Sequence, residues 1–303
     1  MRIALTSDLH VDHHPEVIPL VAERARRLEA EVLIVAGDLS SSLEHLERAL
    51  AGLRETSGAR RALFVPGNHD LWCTAGGPSS RARYHELIPA CARSAGFDPL
   101  GHHPIAIDSP AGPIHFAGVT GWYDFSLRNR ELDATFTPED YRRGAFGPLR
   151  WNDTARVVWP DDEGQPLEAP AICAAQVANL QAQLASIAGA PSVVVTHHLP
   201  FSELVTYRDP NPPSGTPRAG RDLPWDFLNG FMGSAALGEA ILAAPGVRLV
   251  CSGHTHFRKS ARLKGASGPV RAEVSPVGYP REYARAGLDL AARVAERVTL
   301  IDL

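Results

Sequence analysis

Apolar residues along this chain gather into short runs, and each run ends in a polar cluster. The clearest is Val32-Leu33-Ile34-Val35-Ala36, which stops at Gly37-Asp38. Five apolar residues in a row, rich in β-branched side chains, predict a strand buried on both faces. A carboxylate at the C-terminal end of such a strand lies where open α/β sheets bind their ligands. A lone Gly-Asp is more often a turn or a helix cap, so repetition is what gives the pattern weight. Residues 3–6 end in Ser7-Asp8-Leu9-His10. Residues 61–65 end in Pro66-Gly67-Asn68-His69-Asp70, and 192–195 end in Thr196-His197-His198. Residues 247–251 end in Ser252-Gly253-His254-Thr255-His256.

Helical periodicity fills the intervals. Residues 15–31 carry Val17, Leu20, Val21 and Leu28 near helical spacing, and Leu43, Leu46, Leu50 and Leu53 form one stripe. Ser41-Ser42-Leu43-Glu44 reads as a capping box at the start of that second helix. The first third is therefore β-α-β-α-β, and right-handed crossovers make its strands parallel with all polar loops on one edge. Further helices are expected over 81–94, with Pro89 inside, over 170–187 and over 234–244. Another strand is expected over 114–119. The tail alternates like antiparallel strands around 258–264, 270–275 and 295–303. The chain reads as one domain, 1–303, with insertions near 72–112, 121–170 and 201–233. The middle insertion is rich in aromatics, among them Trp122, Tyr123, Phe136, Tyr141 and Trp151. These rings form a satellite core or stack on a substrate base.

Composition narrows the class. A chain of 303 residues with 44% hydrophobic and 21% charged residues is an ordinary globular protein. A formal charge of −4 gives no overall basic field for nucleic acid, which makes a nuclease an unfavoured alternative. Four cysteines lie far apart with no C-x-x-C pair, which fits a reduced, cytoplasmic setting. The sequence starts on a strand without a charged leader, and no apolar run approaches the ~20 residues that span a membrane.

The strand-end clusters carry the chemistry. Asp8, His10, Asp38, Asn68, His197, His254 and His256 offer oxygen and imidazole donors, which suit Mn, Fe, Zn or Co more than thiolate-preferring ions. Asp8-x-His10 and His254-x-His256 have i,i+2 spacing, which in an extended segment turns both side chains to one side. Seven donors exceed one four-coordinate site and match two divalent ions sharing a carboxylate. Asp38, at the end of the central strand, is the expected bridge. His69 diverges from Asn68 and is left free for proton transfer to a leaving oxygen or a hydrogen bond to phosphate. Asp70 either orients His69 or is a turn residue.

Taken together, Asp8-x-His10, Gly37-Asp38, Gly67-Asn68-His69-Asp70, His197 and Gly253-His254-Thr255-His256 resemble the signature of the calcineurin-like metallophosphoesterase superfamily. The blocks run from residue 8 to residue 256. The resemblance implies a mixed α/β fold, with two mixed β-sheets packed as a sandwich and helices on the outer faces. It implies one metal on Asp8, His10, Asp38 and His256, and a second on Asp38, Asn68, His197 and His254. His198 follows the same strand, and the resemblance favours His197 over it. The implied activity is hydrolysis of a phosphoester, a diester before a monoester, by a hydroxide that bridges the metals. The spacing is similar to the bacterial phosphodiesterase branch. Protein phosphatases of the superfamily carry Gly-Asp-x-x-Asp-Arg-Gly, whereas Ser41 stands here in place of the second Asp and the Arg is missing. This argues against that branch and leaves the partner of His69 open. Arg208, Arg218 and Arg221 are candidates to meet the substrate phosphate. Tyr279 either reaches the site from the tail or lies in the core.

Overall fold

The computed structural model describes residues 1–207 and 223–303. Arg208, Arg218 and Arg221 lie outside the described residues. The opening segment follows the predicted alternation. Strand β1 (Arg2–Thr6) leads to helix α1 (Val17–Arg27), β2 (Val32–Ala36), α2 (Leu43–Thr56) and β3 (Arg61–Val65). A short helix, α3 (Asn68–Leu71), follows directly on β3. Strands β4 (Asp98–Pro99), β5 (Ile105–Ser109) and β6 (Gly112–Val119) come next, then α4 (Ala169–Ser186) and β7 (Ser192–Thr196). The chain continues through α5 (Ala235–Ala243), β8 (Val247–Ser252), β9 (Lys259–Gly265) and β10 (Gly268–Val274), and on to α6 (Pro280–Arg285), α7 (Leu290–Arg297) and β11 (Thr299–Asp302).

Two mixed sheets result. The first has the order β11-β1-β2-β3-β4, and the second has the order β9-β10-β8-β7-β6-β5. β1, β2 and β3 run parallel as expected, with Leu5 beside Ile34 and Ile34 beside Leu63. β6, β7 and β8 are likewise parallel. The period of two in each strand then sorts the side chains between two layers. Ile3, Leu5, Val32, Ile34, Leu63 and Val65 meet Phe116, Val193, Val195, Leu249 and Cys251 between the sheets. Ala4, Leu33, Val35 and Phe64 point the other way, into a core shared with α1, α2 and α7. Val194, Val250 and Ala272 pack toward α4 and α5. Each central strand is thus buried on both faces, which is why its sequence is an unbroken apolar run.

Three local expectations change. The cap of α2 is Ser42, whose hydroxyl accepts from His45 N, while Ser41 donates to Asp12 instead, so no capping box forms. The helix expected over 81–94 exists, but Pro89 is accommodated by a π-turn, Arg83–Leu87, between Ser80–Ala82 and Ile88–Ser94. Widening the turn relieves the clash of the proline ring with the preceding carbonyl. Residues 259–265 and 268–274 form the predicted hairpin. Residues 295–303 do not extend it: α7 ends at Arg297, and β11 pairs antiparallel with β1 in the other sheet. No helix among the described residues is long and apolar enough to cross a membrane.

The aromatic insertion packs inward. Trp122, Tyr123, Phe136, Tyr141 and Trp159 are buried. Tyr141 stacks on Phe227 at 5.1 Å, and Trp151 stacks on Phe231 at 4.9 Å. These rings join the core shared with α1 and α2 rather than a separate satellite, and the buried ones are not free to stack on a base.

A candidate dinuclear metal centre

The ends of β1, β2, β3, β7 and β8 meet at one place, and their loops are fitted closely. Gly37 has φ +87°, and a Cβ there would lie 2.4 Å from His197 Nδ1. A Cβ on Gly67 would lie 2.1 Å from Asp38 Oδ1. Only glycine permits this approach of backbone to ligand. The loops are not extended. Asp8, His10, Asp38, His254 and His256 all have positive φ, between 40° and 72°. The two i,i+2 pairs therefore converge through left-handed backbone, rather than through the extended geometry that their spacing suggested.

All seven predicted donors come together. Around His197 the hydrogen bonds decide where the protons sit. His197 Nδ1–H donates to the Ala36 carbonyl at 2.8 Å, which leaves a lone pair on Nε2. His254 Nε2–H donates to the Phe231 carbonyl at 3.2 Å, which leaves a lone pair on Nδ1. The Asn68 amide donates through Nδ2 to Asp153 at 2.9 Å, which turns Oδ1 inward. His197 Nε2, His254 Nδ1 and Asn68 Oδ1 then lie 3.1–3.2 Å from one another. These are three mutually repelling acceptors. A proton on one nitrogen relieves part of the repulsion, whereas a cation in their midst relieves all of it.

A second trio mirrors the first. His256 Nδ1–H donates to Glu282 at 3.0 Å, which frees Nε2. That nitrogen lies 3.0 Å from His10 Nε2 and 3.3 Å from Asp8 Oδ1. Asp8 is itself held by the Ser7 hydroxyl and by His254 N. Asp38 stands between the trios. Its Oδ1 is 3.4 Å from His197 Nε2, and its Oδ2 is 3.9 Å from His10 Nε2. Its ligand atom lies within 4.8 Å of those of His10 and His69 and, in another group, of His197 and His254. The donor set thus fits one divalent ion on each side of Asp38.

The field at the site is negative. Burial opposes protonation of His256, but Glu282 and Asp8 override it and push the ring up to about 10. Burial likewise opposes protonation of His197, and Asp38 pushes it up to about 9. Burial holds His10 and His254 well below the ordinary histidine range. A site that draws protons onto two imidazoles against burial draws cations by the same field.

His69 stands at the rim with about a fifth of its side chain exposed. Its ring stacks on Trp72 at 3.6 Å, and its Nε2 lies 3.4 Å from the Tyr279 hydroxyl and 3.9 Å from Asp38 Oδ2. Tyr279 does reach the site from the tail, stacked on His10 at 4.2 Å. Arg156 lies 4.8 Å over Trp72, and Arg281 lies 5.4 Å over Tyr279. Asp70 faces elsewhere. Its buried carboxylate accepts from the backbone N–H groups of Asp38, Leu39, Ser40 and Gly67 at 2.7–2.9 Å. Burial and the Asp38 charge push this carboxyl up to about 7, while the bonds from Gly67 and Ser40 pull the other way. Orienting His69 is therefore not its task, since it ties the β2 loop to the β3 loop. His198 is buried against Trp122 at 4.9 Å, with Nδ1 toward the Thr120 carbonyl, and His197 is the ring that faces Asp38.

Two contributors carry little signal in the sequence. Asp153 stands in an insertion that reads as loop, and Glu282 lies in a tail that reads as strands, where the structure has the helix α6. Each is found only through a partner far along the chain.

The chain matches the calcineurin-like phosphoesterase family over residues 1–258. It is 27% identical over 290 residues to the acyl-carrier-protein phosphodiesterase PptH of Mycobacterium tuberculosis, covering 92% of this chain and 78% of the relative. The crystal structure of that phosphopantetheinyl hydrolase superposes with a TM-score of 0.71 at 23% identity, covering 95% of this chain and 93% of the other. TT1561 of Thermus thermophilus gives 0.52 at 16% identity, with 99% and 96% covered. The strand-end donors, the two-sheet sandwich and the family match agree, and the chain belongs to the calcineurin-like phosphoesterase family, as a hydrolase of phosphoric esters.

Proposed function

We propose that this protein is a dinuclear metallophosphodiesterase. The observation that carries the reading is the pair of trios flanking Asp38, in which the outer protons of His197, His254 and His256 are tied to carbonyls or a carboxylate. One divalent ion, Mn, Fe or Zn, would be held by Asp8, His10, Asp38 and His256, and a second by Asp38, Asn68, His197 and His254. When bound, they would supply Lewis acidity toward water and toward the phosphoryl oxygens.

The chain's own residues do the rest. Asp38 joins the two halves and holds them at one spacing. Glu282 and the Ala36 and Phe231 carbonyls keep the imidazole lone pairs turned inward. His69 offers Nε2–H to the leaving oxygen, steadied by Trp72 below it and by the Tyr279 hydroxyl beside it. Asp70 is a positioning residue that locks the Asp38 loop. Four unpaired cysteines are in keeping with a cytoplasmic setting.

The name of the mycobacterial relative points to a phosphodiester on a carrier protein. We take a phosphopantetheinyl group on acyl carrier protein as the first natural substrate class to test. The deciding experiment strips the protein of metal, reloads it with Mn²⁺, Fe²⁺, Zn²⁺ or Co²⁺, and compares bis-p-nitrophenyl phosphate with p-nitrophenyl phosphate. Faster turnover of the diester is expected, followed by release of phosphopantetheine from the carrier. A clear preference for the monoester overturns the diester reading.

A further inference from the structure

Asp153 collects three donors on one buried carboxylate. Oδ1 accepts from Asn68 Nδ2 at 2.9 Å and from Trp72 Nε1 at 2.6 Å, and Oδ2 accepts from Trp151 Nε1 at 2.9 Å. Only 2% of the residue is exposed. It opens the short helix Asp153–Arg156, within the aromatic segment that runs over the sheet edge. The partners differ in consequence. Trp151 packs against the aromatic core. Asn68 is a proposed ligand, and Trp72 is the ring stacked under His69.

An asparagine amide has two ends of nearly equal shape, and only its oxygen can face a cation. Nothing in β3 or its loop decides which end turns inward. An ionised carboxylate accepts and never donates, so it captures the NH₂ end and leaves Oδ1 toward His197 and His254, 3.1 Å from each. The same oxygen holds the Trp72 indole. One side chain therefore sets the orientation of a ligand and of the plane beneath His69. We propose that Asp153 is a positioning residue of the metal centre, which fixes the Asn68 amide for the ion shared by Asn68, His197 and His254. The inference rests on the two-ion reading above.

The test reads metal affinity rather than turnover. Metal-free wild type, Asp153→Ala, Asp153→Asn, Trp151→Phe and the double variant Asp153→Asn/Trp151→Phe are titrated with Zn²⁺ against a competing chelator. Near-UV circular dichroism confirms the folded state of each. Asp153→Ala should weaken one of the two binding steps by about 10- to 100-fold, the range for lost outer-shell partners, and leave the other unchanged. Asp153→Asn can keep an oxygen toward Asn68 and Trp72 only by aiming its NH₂ at the Trp151 N–H. It should therefore also weaken that step. Removing the opposing donor in Asp153→Asn/Trp151→Phe should bring the step back to within a few-fold of wild type. A purely structural role would lower the unfolding midpoint and leave the affinity of the folded protein unmoved. Two wild-type binding steps in folded Asp153→Ala overturn the proposal. If that variant does not fold, equal affinities in Asp153→Asn and the double variant overturn it instead. Fewer than two bound ions in wild type would sink the dinuclear reading and this inference together, whereas two ions in wild type with an unaltered Asp153→Ala sink this inference alone.

Discussion

Replacing Asp70 by Asn changes almost no volume and yet should cost more than most core substitutions. The carboxylate takes two backbone N–H groups on each oxygen: Asp38 and Gly67 on Oδ2, Leu39 and Ser40 on Oδ1. Asn offers one oxygen and one NH₂. Whichever way the amide turns, two buried N–H groups then face a donor. A buried donor left unsatisfied costs about 1–3 kcal/mol, so the pair costs about 2–6 kcal/mol. The two surviving bonds also lose their charge assistance. Urea unfolding of the metal-free protein at about pH 8.5, above the raised range of this carboxyl, measures the change, which should appear as a lower midpoint at unchanged slope. Because the same contacts fix the backbone of Asp38, metal affinity should fall as well. A loss below about 1 kcal/mol would refute the reasoning. It would mean that Asp70 is a neutral acid in the folded protein, with a hydroxyl already among those four donors.

Other outcomes follow from the same geometry. Asp38→Asn removes the charge between the two trios, and turnover should drop by at least about 10²–10³-fold with far-UV circular dichroism unchanged; a fully active variant would end the bridging assignment. His69→Ala should retain metal but lose about 10²–10⁴-fold on esters with poor leaving groups, and far less on a nitrophenyl ester that needs no proton. Equal losses on both would argue against His69 as the proton donor. Glu282→Gln removes the charge behind His256 Nδ1 and should weaken one metal-binding step by about 10- to 100-fold in a chelator competition; an unchanged isotherm would show that the carboxylate charge does not tune the His256 ring.

The sequence was most legible where burial is two-sided. Val32–Ala36, Arg61–Val65 and Ser192–Thr196 announce themselves because a strand between two layers must be apolar throughout. The polar residues ending those strands stand out against them, and so the seven donors could be named. What stayed hidden depends on contacts made far along the chain. Nothing local marks β11 as the neighbour of β1 rather than of the hairpin, since both sheets offered an edge. Asp153 and Glu282 look like ordinary insertion and tail residues until their partners, 85 and 26 positions away, are beside them. The i,i+2 pairs were found for an incomplete reason, because their convergence comes from left-handed backbone that alternation cannot register.

That backbone has a consequence for stability. Asp, His and other residues bearing a Cβ meet their own carbonyl in the left-handed region, at a cost of order 1 kcal/mol or more each. Five of the proposed ligands are held this way, along with their burial among like-charged or lone-pair-bearing neighbours. The surrounding sandwich thus holds these loops in strained backbone, and a bound cation would offset the crowding of their charges and lone pairs. Replacing His254 by Gly would remove a proposed ligand while relaxing its loop, whereas Gly at Asp8 would also leave the buried His254 N–H without an acceptor. Of the two, only His254 trades lost function against backbone strain.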